Sequence, residues 1–171
     1  LTENSGVIDI YIGISHRFDI IKGMTERSIL RNTSAKVNIT HLYPDNEQGA
    51  TGFSSVRYGI RKGIYIEVDM IVLGDIAELW EYHQTGKFVC MHDGKTDVAV
   101  IDCVHACHNK REQHLLPKLP IIPPQWNVIP ITEDSVIPDD TKLLHFSCMD
   151  SQPWFYEHPN KRALEIYEEY A

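Results

Sequence analysis

Between Gly63 and Trp80 an apolar, β-branched run carries two carboxylates at alternating positions, Glu67 and Asp69, and then turns at Gly74. Side chains two apart on an extended segment leave the same face, so the two acids would root roughly 6–7 Å apart and converge on one divalent cation. The competing reading is a strand end where the chain simply meets water. The residues immediately downstream favour the cation. Gly74 breaks the strand, Asp75 suits a helix N-cap, and Glu78 three residues on completes an Asp-x-x-Glu capping pattern ahead of Leu79 and Trp80. The acids therefore belong at the C-terminal end of a strand that turns into a helix, the edge where open α/β sheets bind ligands.

Other segments supply the rest of such a sheet. Ile8 to Ile14 alternates and then runs apolar, predicting a first strand that ends in Ser15-His16-Arg17. A helix-compatible stretch from Asp19 to Arg31 and a second strand from Val37 to Leu42 come next, giving a β-α-β opening that favours a parallel sheet. Thr96 to Cys103 predicts a further buried strand. The stretch from Asn160 to Ala171 predicts an amphipathic helix with Leu164 and Tyr167 on its apolar side and Glu165, Glu168 and Glu169 on its solvated face.

With these residues in view, the chain resembles the retaining nucleotide-sugar glycosyltransferases of the glycogenin and bacterial lipopolysaccharide galactosyltransferase type (family 8). The run from Ile64 to Trp80 is similar to that family's aspartate-x-aspartate segment and the Asp-Ile-x-Glu-Leu-Trp turn after it, with Glu67 where the first aspartate is expected. Phe53 to Tyr58 resembles a Phe-x-x-x-Arg-Phe segment, and Thr96 to Cys103 a strand ending Asp-Cys. Leu143 to Trp154, followed by His158-Pro159, resembles the closing motif of a bacterial branch with Gln-Pro-Trp in place of Lys-Pro-Trp. Ile121 to Asn127 matches that branch's Ile-Pro-x-x-Trp-Asn segment. The family's separate Asp-Gln-Asp acceptor motif has no counterpart here.

The resemblance implies a GT-A type (Rossmann-like) α/β fold, a mixed, mostly parallel sheet flanked by helices in one compact domain covering residues 1–171. It implies Mn²⁺ or Mg²⁺ held by Glu67, Asp69 and His145. It places Gly13, Ser15, His16 and Arg17 around the donor's base and ribose, and Arg57 near its sugar and phosphates. Val68 would contact the donor, and Ser147, Gln152 and Trp154 would line the diphosphate, with Gln152 facing it where relatives carry a lysine. Asp97, and after it Asp102, would stand against the sugar hydroxyls as the catalytic candidates. The implied reaction moves a hexose from UDP-glucose or UDP-galactose, with retention, to a glycan, lipid or protein acceptor.

Composition bounds the alternatives. A net charge of −8 over 171 residues argues against a phosphate-tracking nucleic-acid binder, which needs a basic face. No window reaches the roughly 20 consecutive apolar residues of a membrane span, and no charged-then-apolar leader opens the chain, so a cytoplasmic location is expected. Cys103, His105, Cys107 and His108 offer residue types that suit zinc, but the spacing is poor for a structural finger and no second Cys-x-x-Cys pair accompanies them. Two other functions compete. A sugar-phosphate nucleotidyltransferase also sets acids and metal at a sheet edge, although Gly13 to Arg17 is not its Gly-rich loop. A nucleotide-sugar-binding module with weak turnover would fit the missing acceptor motif and the residues Glu67 and Gln152.

Overall fold

The computed structural model describes residues 6–43, 62–82, 98–102 and 122–171. Strand β1, Val7–Gly13, keeps the alternation expected of it, with Ile8, Ile10 and Ile12 buried. It leads through a 3-10 turn, His16–Ile21, into helix α1, Lys22–Asn32, so the first part of the predicted helix is the tighter form. β2, Lys36–Leu42, returns parallel to β1. β3, Lys62–Glu67, is parallel on the other side of β1, and β5, Val98–Asp102, is antiparallel to β3. The order β2-β1-β3-β5 is the expected mixed, mostly parallel sheet.

One expectation is corrected at the acids. The apolar run is not a single strand: β3 ends at Glu67, Val68 and Asp69 form a turn, and Met70–Val72 is a separate strand, β4. β4 leaves the main sheet and pairs antiparallel with β6, Leu143–His145, in register Met70 with His145 and Val72 with Leu143. The turn exists because Val68 is held on both backbone sides. Its amide donates to the Gly13 carbonyl at 3.1 Å, and its carbonyl accepts from the Thr25 hydroxyl.

Helix α1 buries a polar face as well as Met24 and Ile29, and that face fixes β4. Ser28 Oγ accepts the Val72 amide at 2.9 Å. The Asn32 side-chain amide donates to the Val72 carbonyl at 2.9 Å and to the Tyr170 hydroxyl at 2.8 Å. Tyr170 ends helix α3, Lys161–Tyr170, whose backbone carbonyl there also accepts two bonds from Arg27. Asn160 caps α3, accepting from the Ala163 amide at 3.0 Å. The apolar face of α3 centres on Ala163, Ile166 and Tyr170, with Leu164 and Tyr167 only half-buried at its flanks. Glu165, Glu168 and Glu169 are exposed as expected.

Helix α2, Ile76–Trp80, is capped by Asp75, which accepts from the Ala77 amide at 3.0 Å. The reciprocal half of the expected capping box does not form, because the Glu78 carboxylate pairs with Lys142 instead. The Asp75 carboxylate also accepts from the Ser34 amide and the Thr33 hydroxyl, tying the α1–β2 connection to the start of α2. The main core lies between these layers, with Ile10, Ile12, Ile64, Ile66, Ile71, Leu79 and Leu144 fully buried. Each such side chain contributes about 1.5–3 kcal/mol relative to exposure. Gly63 sits at φ 144°, where a Cβ would strike the Asp9 carbonyl, so only glycine allows β3 to run this close to β1.

Candidate metal and donor site

Gly13 and Glu67 are register partners at the C-terminal ends of the parallel strands β1 and β3. Two residues beyond Glu67, the Asp69 carbonyl accepts the Phe146 amide at 2.9 Å, so the acid turn is stitched to the residue after β6. The ladder between β4 and β6 sets His145 opposite Met70 and hence beside Asp69. His145 Nε2 stands 3.4 Å from an Asp69 carboxylate oxygen and 3.7 Å from one of Glu67. One ligand atom from each of the three lies within 4.8 Å of the others.

The three side chains grade from solvent inward. Those of Glu67, Asp69 and His145 are 26%, 12% and 2% exposed, so an ion would enter past the carboxylates and meet the imidazole at the bottom. Asp69 Oδ1 is buried and makes no hydrogen bond among the described residues, the condition a metal would relieve. Ligand atoms round one small divalent ion lie about 3 Å apart, so the side chains would draw together to seat it. Two carboxylates with one imidazole suit Mn²⁺ or Mg²⁺ better than a thiolate-seeking metal.

The remaining candidates distribute unevenly around this centre. Ser15 precedes the 3-10 turn that His16 opens, and its carbonyl accepts the Phe18 amide at 2.8 Å. The exposed Arg17 lays its guanidinium 5.2 Å from the Phe155 ring centre and 5.7 Å from that of Phe18. Trp154 packs edge-on to Phe146 at 5.8 Å and to Phe18 at 6.2 Å, so an aromatic chain joins the β1 loop to the residue next to His145. Ser147 is exposed. Val68 lends its backbone to the turn and buries its side chain.

Gln152 is the residue that the resemblance sets against the diphosphate. It is fully buried, and its amide donates to the Phe146 carbonyl at 3.0 Å, closing the 146–152 loop from inside. Asp102 ends β5, level with Lys62 of β3. Arg57 and Asp97 lie outside the described residues, as do Cys103, His105, Cys107 and His108.

One residue of the site carries no mark as functional in the sequence. Asn127, 7% exposed, sets its side-chain oxygen 3.0 Å from His145 Nδ1. It comes directly after a 3-10 turn, Pro124–Trp126, and precedes Val128, whose carbonyl accepts the His145 amide at 2.8 Å. The Trp-Asn pair of the bacterial-branch resemblance was the available signal.

No protein-family model matches the chain, and no curated protein does. Solved structures do. The glycosyltransferase GlyE of Streptococcus pneumoniae TIGR4 superposes with a TM-score of 0.64 over 95% of this chain at 14% identity. The fold is that of solved glycosyltransferases. LgtC, a galactosyltransferase solved with donor and acceptor sugar analogues, gives a TM-score of 0.63 at 10% identity, covering 95% of this chain and 94% of its own. The bifunctional glycosyltransferase WbbM gives 0.57 at 12% identity over 99% of this chain. This chain spans 59% of the GlyE chain and 50% of the WbbM chain. Among the described residues no helix is long and apolar enough to cross a membrane.

Proposed function

We propose that this chain is a glycosyltransferase of the family 8 type, moving a hexose from a UDP-sugar, UDP-glucose or UDP-galactose, to a glycan, lipid or protein acceptor with retention of configuration. The observation that carries the reading is the convergence of Glu67, Asp69 and His145 at the C-terminal edge of the parallel strands, on a fold shared with glycosyltransferases. Those three residues would hold Mn²⁺ or Mg²⁺. A divalent ion held there would supply Lewis acidity to offset charge growing on the leaving diphosphate.

This chain's own groups do the rest. The loop from Gly13 to Arg17 leaves the same strand edge as the acids, which would let a nucleotide seated on it reach them with its diphosphate. Arg17 is a positive group on that rim, and stacking on Phe155 and Phe18 limits the freedom it loses when it meets an anion. The exposed Ser147, two residues beyond His145, is assigned to the donor's diphosphate. Arg57 is assigned to the donor phosphates, and Asp97 and Asp102 to the sugar hydroxyls.

Calorimetric titration of UDP in Mn²⁺ and in chelator tests the reading, alongside hydrolysis of a panel of UDP-hexoses. Metal-dependent UDP binding that Glu67→Gln with Asp69→Asn abolishes is expected. UDP binding that is equal in parent and variant, and indifferent to chelator, would overturn it.

A further inference from the structure

We infer that Asn127 is a positioning residue for the metal centre: its side-chain carbonyl holds the proton of His145 on Nδ1 and so turns the Nε2 lone pair toward Glu67 and Asp69. The inference rests on the metal reading above and adds a residue to it. A neutral imidazole has one nitrogen that donates and one that accepts, and whichever nitrogen is given an acceptor keeps the proton. Asn127 Oδ1 lies 3.0 Å from Nδ1, and an amide oxygen only accepts. The side of the ring that faces the carboxylates is then the one able to bind a cation.

The backbone makes this contact rigid. The Asn127 amide donates to the Pro124 carbonyl at 3.1 Å, closing the 3-10 turn. Val128, the next residue, bridges to β6 on both sides, its amide donating to the Leu143 carbonyl at 3.0 Å and its carbonyl accepting from the His145 amide. Trp126, 3% exposed, anchors the turn in the core, and Lys142 crosses its ring. Ligand and orienting residue therefore lie on neighbouring, directly bonded stretches of backbone, with both side chains buried. Burial matters, since water at this point would satisfy either tautomer equally. A metal-binding histidine whose second nitrogen is fixed in this way loses about 10- to 100-fold in metal affinity when the partner is removed.

The opposite arrangement is chemically distinct. With the Asn127 amide reversed, its NH₂ would donate to Nδ1, and the ring proton would sit on Nε2, aimed at the carboxylates as a hydrogen-bond donor. That version ties the acids to the histidine and leaves no lone pair for a cation.

Two measurements decide. Long-range ¹H–¹⁵N correlation spectra of the metal-free parent, with His145 assigned by comparison with His145→Gln, report the tautomer directly, and the Nδ1–H form is expected. The second is Mn²⁺ titration of Asn127→Leu and Asn127→Asp, with an expected loss of at least about 10-fold for leucine and recovery to within about threefold of the parent for aspartate, which still accepts from Nδ1–H. An Nε2–H tautomer in the parent overturns the inference without reference to any variant. So does Asn127→Leu binding Mn²⁺ as the parent does, or leucine and aspartate variants weakened alike. A parent that shows the Nδ1–H tautomer but binds no Mn²⁺ instead overturns the metal reading on which the inference stands.

Discussion

The backbone carbonyl of Asp69 accepts the amide of Phe146 at 2.9 Å, so the acid turn and the histidine strand are fastened at one ligand, Asp69, and at the residue next to another, His145. Moving either ligand means breaking a buried ladder bond. A centre held this way is preorganised, and metal should add to folding stability without reshaping it.

The first prediction concerns that linkage. Mn²⁺ at a hundredfold excess over its dissociation constant should stabilise the parent by about 2.7 kcal/mol, the mass-action value for a ligand that binds only the folded state. Asp69→Asn, which keeps the shape but removes the buried carboxylate charge, should gain less than about 0.5 kcal/mol under the same conditions. Chemical denaturation with and without Mn²⁺ reads both, and an equal gain in the two proteins would place the ion elsewhere.

A second prediction addresses Gln152. Its complete burial means that Gln152→Lys drives an ammonium into a space shaped for an amide, where the Phe146 carbonyl is its one acceptor among the described residues. The cost should exceed about 2 kcal/mol, because a buried charge with too few partners forfeits its hydration. Denaturant midpoints give the answer. Unchanged stability together with tighter UDP binding would place this position at the diphosphate.

Asp75 provides a pH-dependent test. Burial on its own would raise its pKa, but bonds from Ser34, Ala77 and Thr33 outweigh that and hold the carboxyl below its ordinary value of 3.8. Its contribution to stability is therefore present in full above the unfolded value and fades as pH falls through the lower folded one. Asp75→Ala should lose about 1–2 kcal/mol near neutrality, as for a lost N-cap. The difference from the parent should shrink in acid. A gap that stays constant to low pH would show that packing, not the charge, is what alanine removes.

His158 titrates in the opposite chemical sense but with the same slope. Burial pushes its pKa below 6.5, working against backbone hydrogen bonds at Asn160 and Pro130, and the ring lies edge-on to Phe146 at 5.3 Å. The folded state thus prefers the neutral ring. Stability from this preference is complete above about pH 6.5 and is lost as pH drops below it toward the folded value. His158→Gln, which cannot titrate, should flatten the fall in stability between about pH 7.5 and 5 that the parent shows, and superimposable parent and variant profiles would refute the assignment.

Local pattern carried part of this architecture and stopped where long-range pairing began. β1 and β3 are legible because Ile8, Ile10 and Ile12 alternate and because Ile64 to Ile66 form an apolar run, both read within one segment. Asp75 is legible as a cap for the same reason. Glu78 is not, since whether it turns back to its own helix or out to Lys142 depends on a residue distant in sequence. The acids were expected on one extended face, yet they converge through a turn that Thr25 and Gly13 impose from other elements. His145 is visible through resemblance alone, and Asn127 not as a functional residue at all, because a lone asparagine after a tryptophan carries no period. Nothing in the local pattern marks Thr25 and Ser28 inside α1 as buried, because the Val68 carbonyl and the Val72 amide that they serve belong to another part of the chain.

The triple duty of Asn32 has a consequence for the order of events at the ribosome. Its amide is shared among the Ser28 carbonyl of its own helix, the Val72 carbonyl of β4 and the hydroxyl of Tyr170. Glu67 and Asp69 emerge early, but β4 has no partner strand until Leu143 to His145 are made, and the α1 surface beneath it is not completed until Tyr170 is. Closure of a site so assembled has to wait for nearly the whole described chain, and until then a nascent protein holds its two acids by β1 and α1 alone, without the histidine.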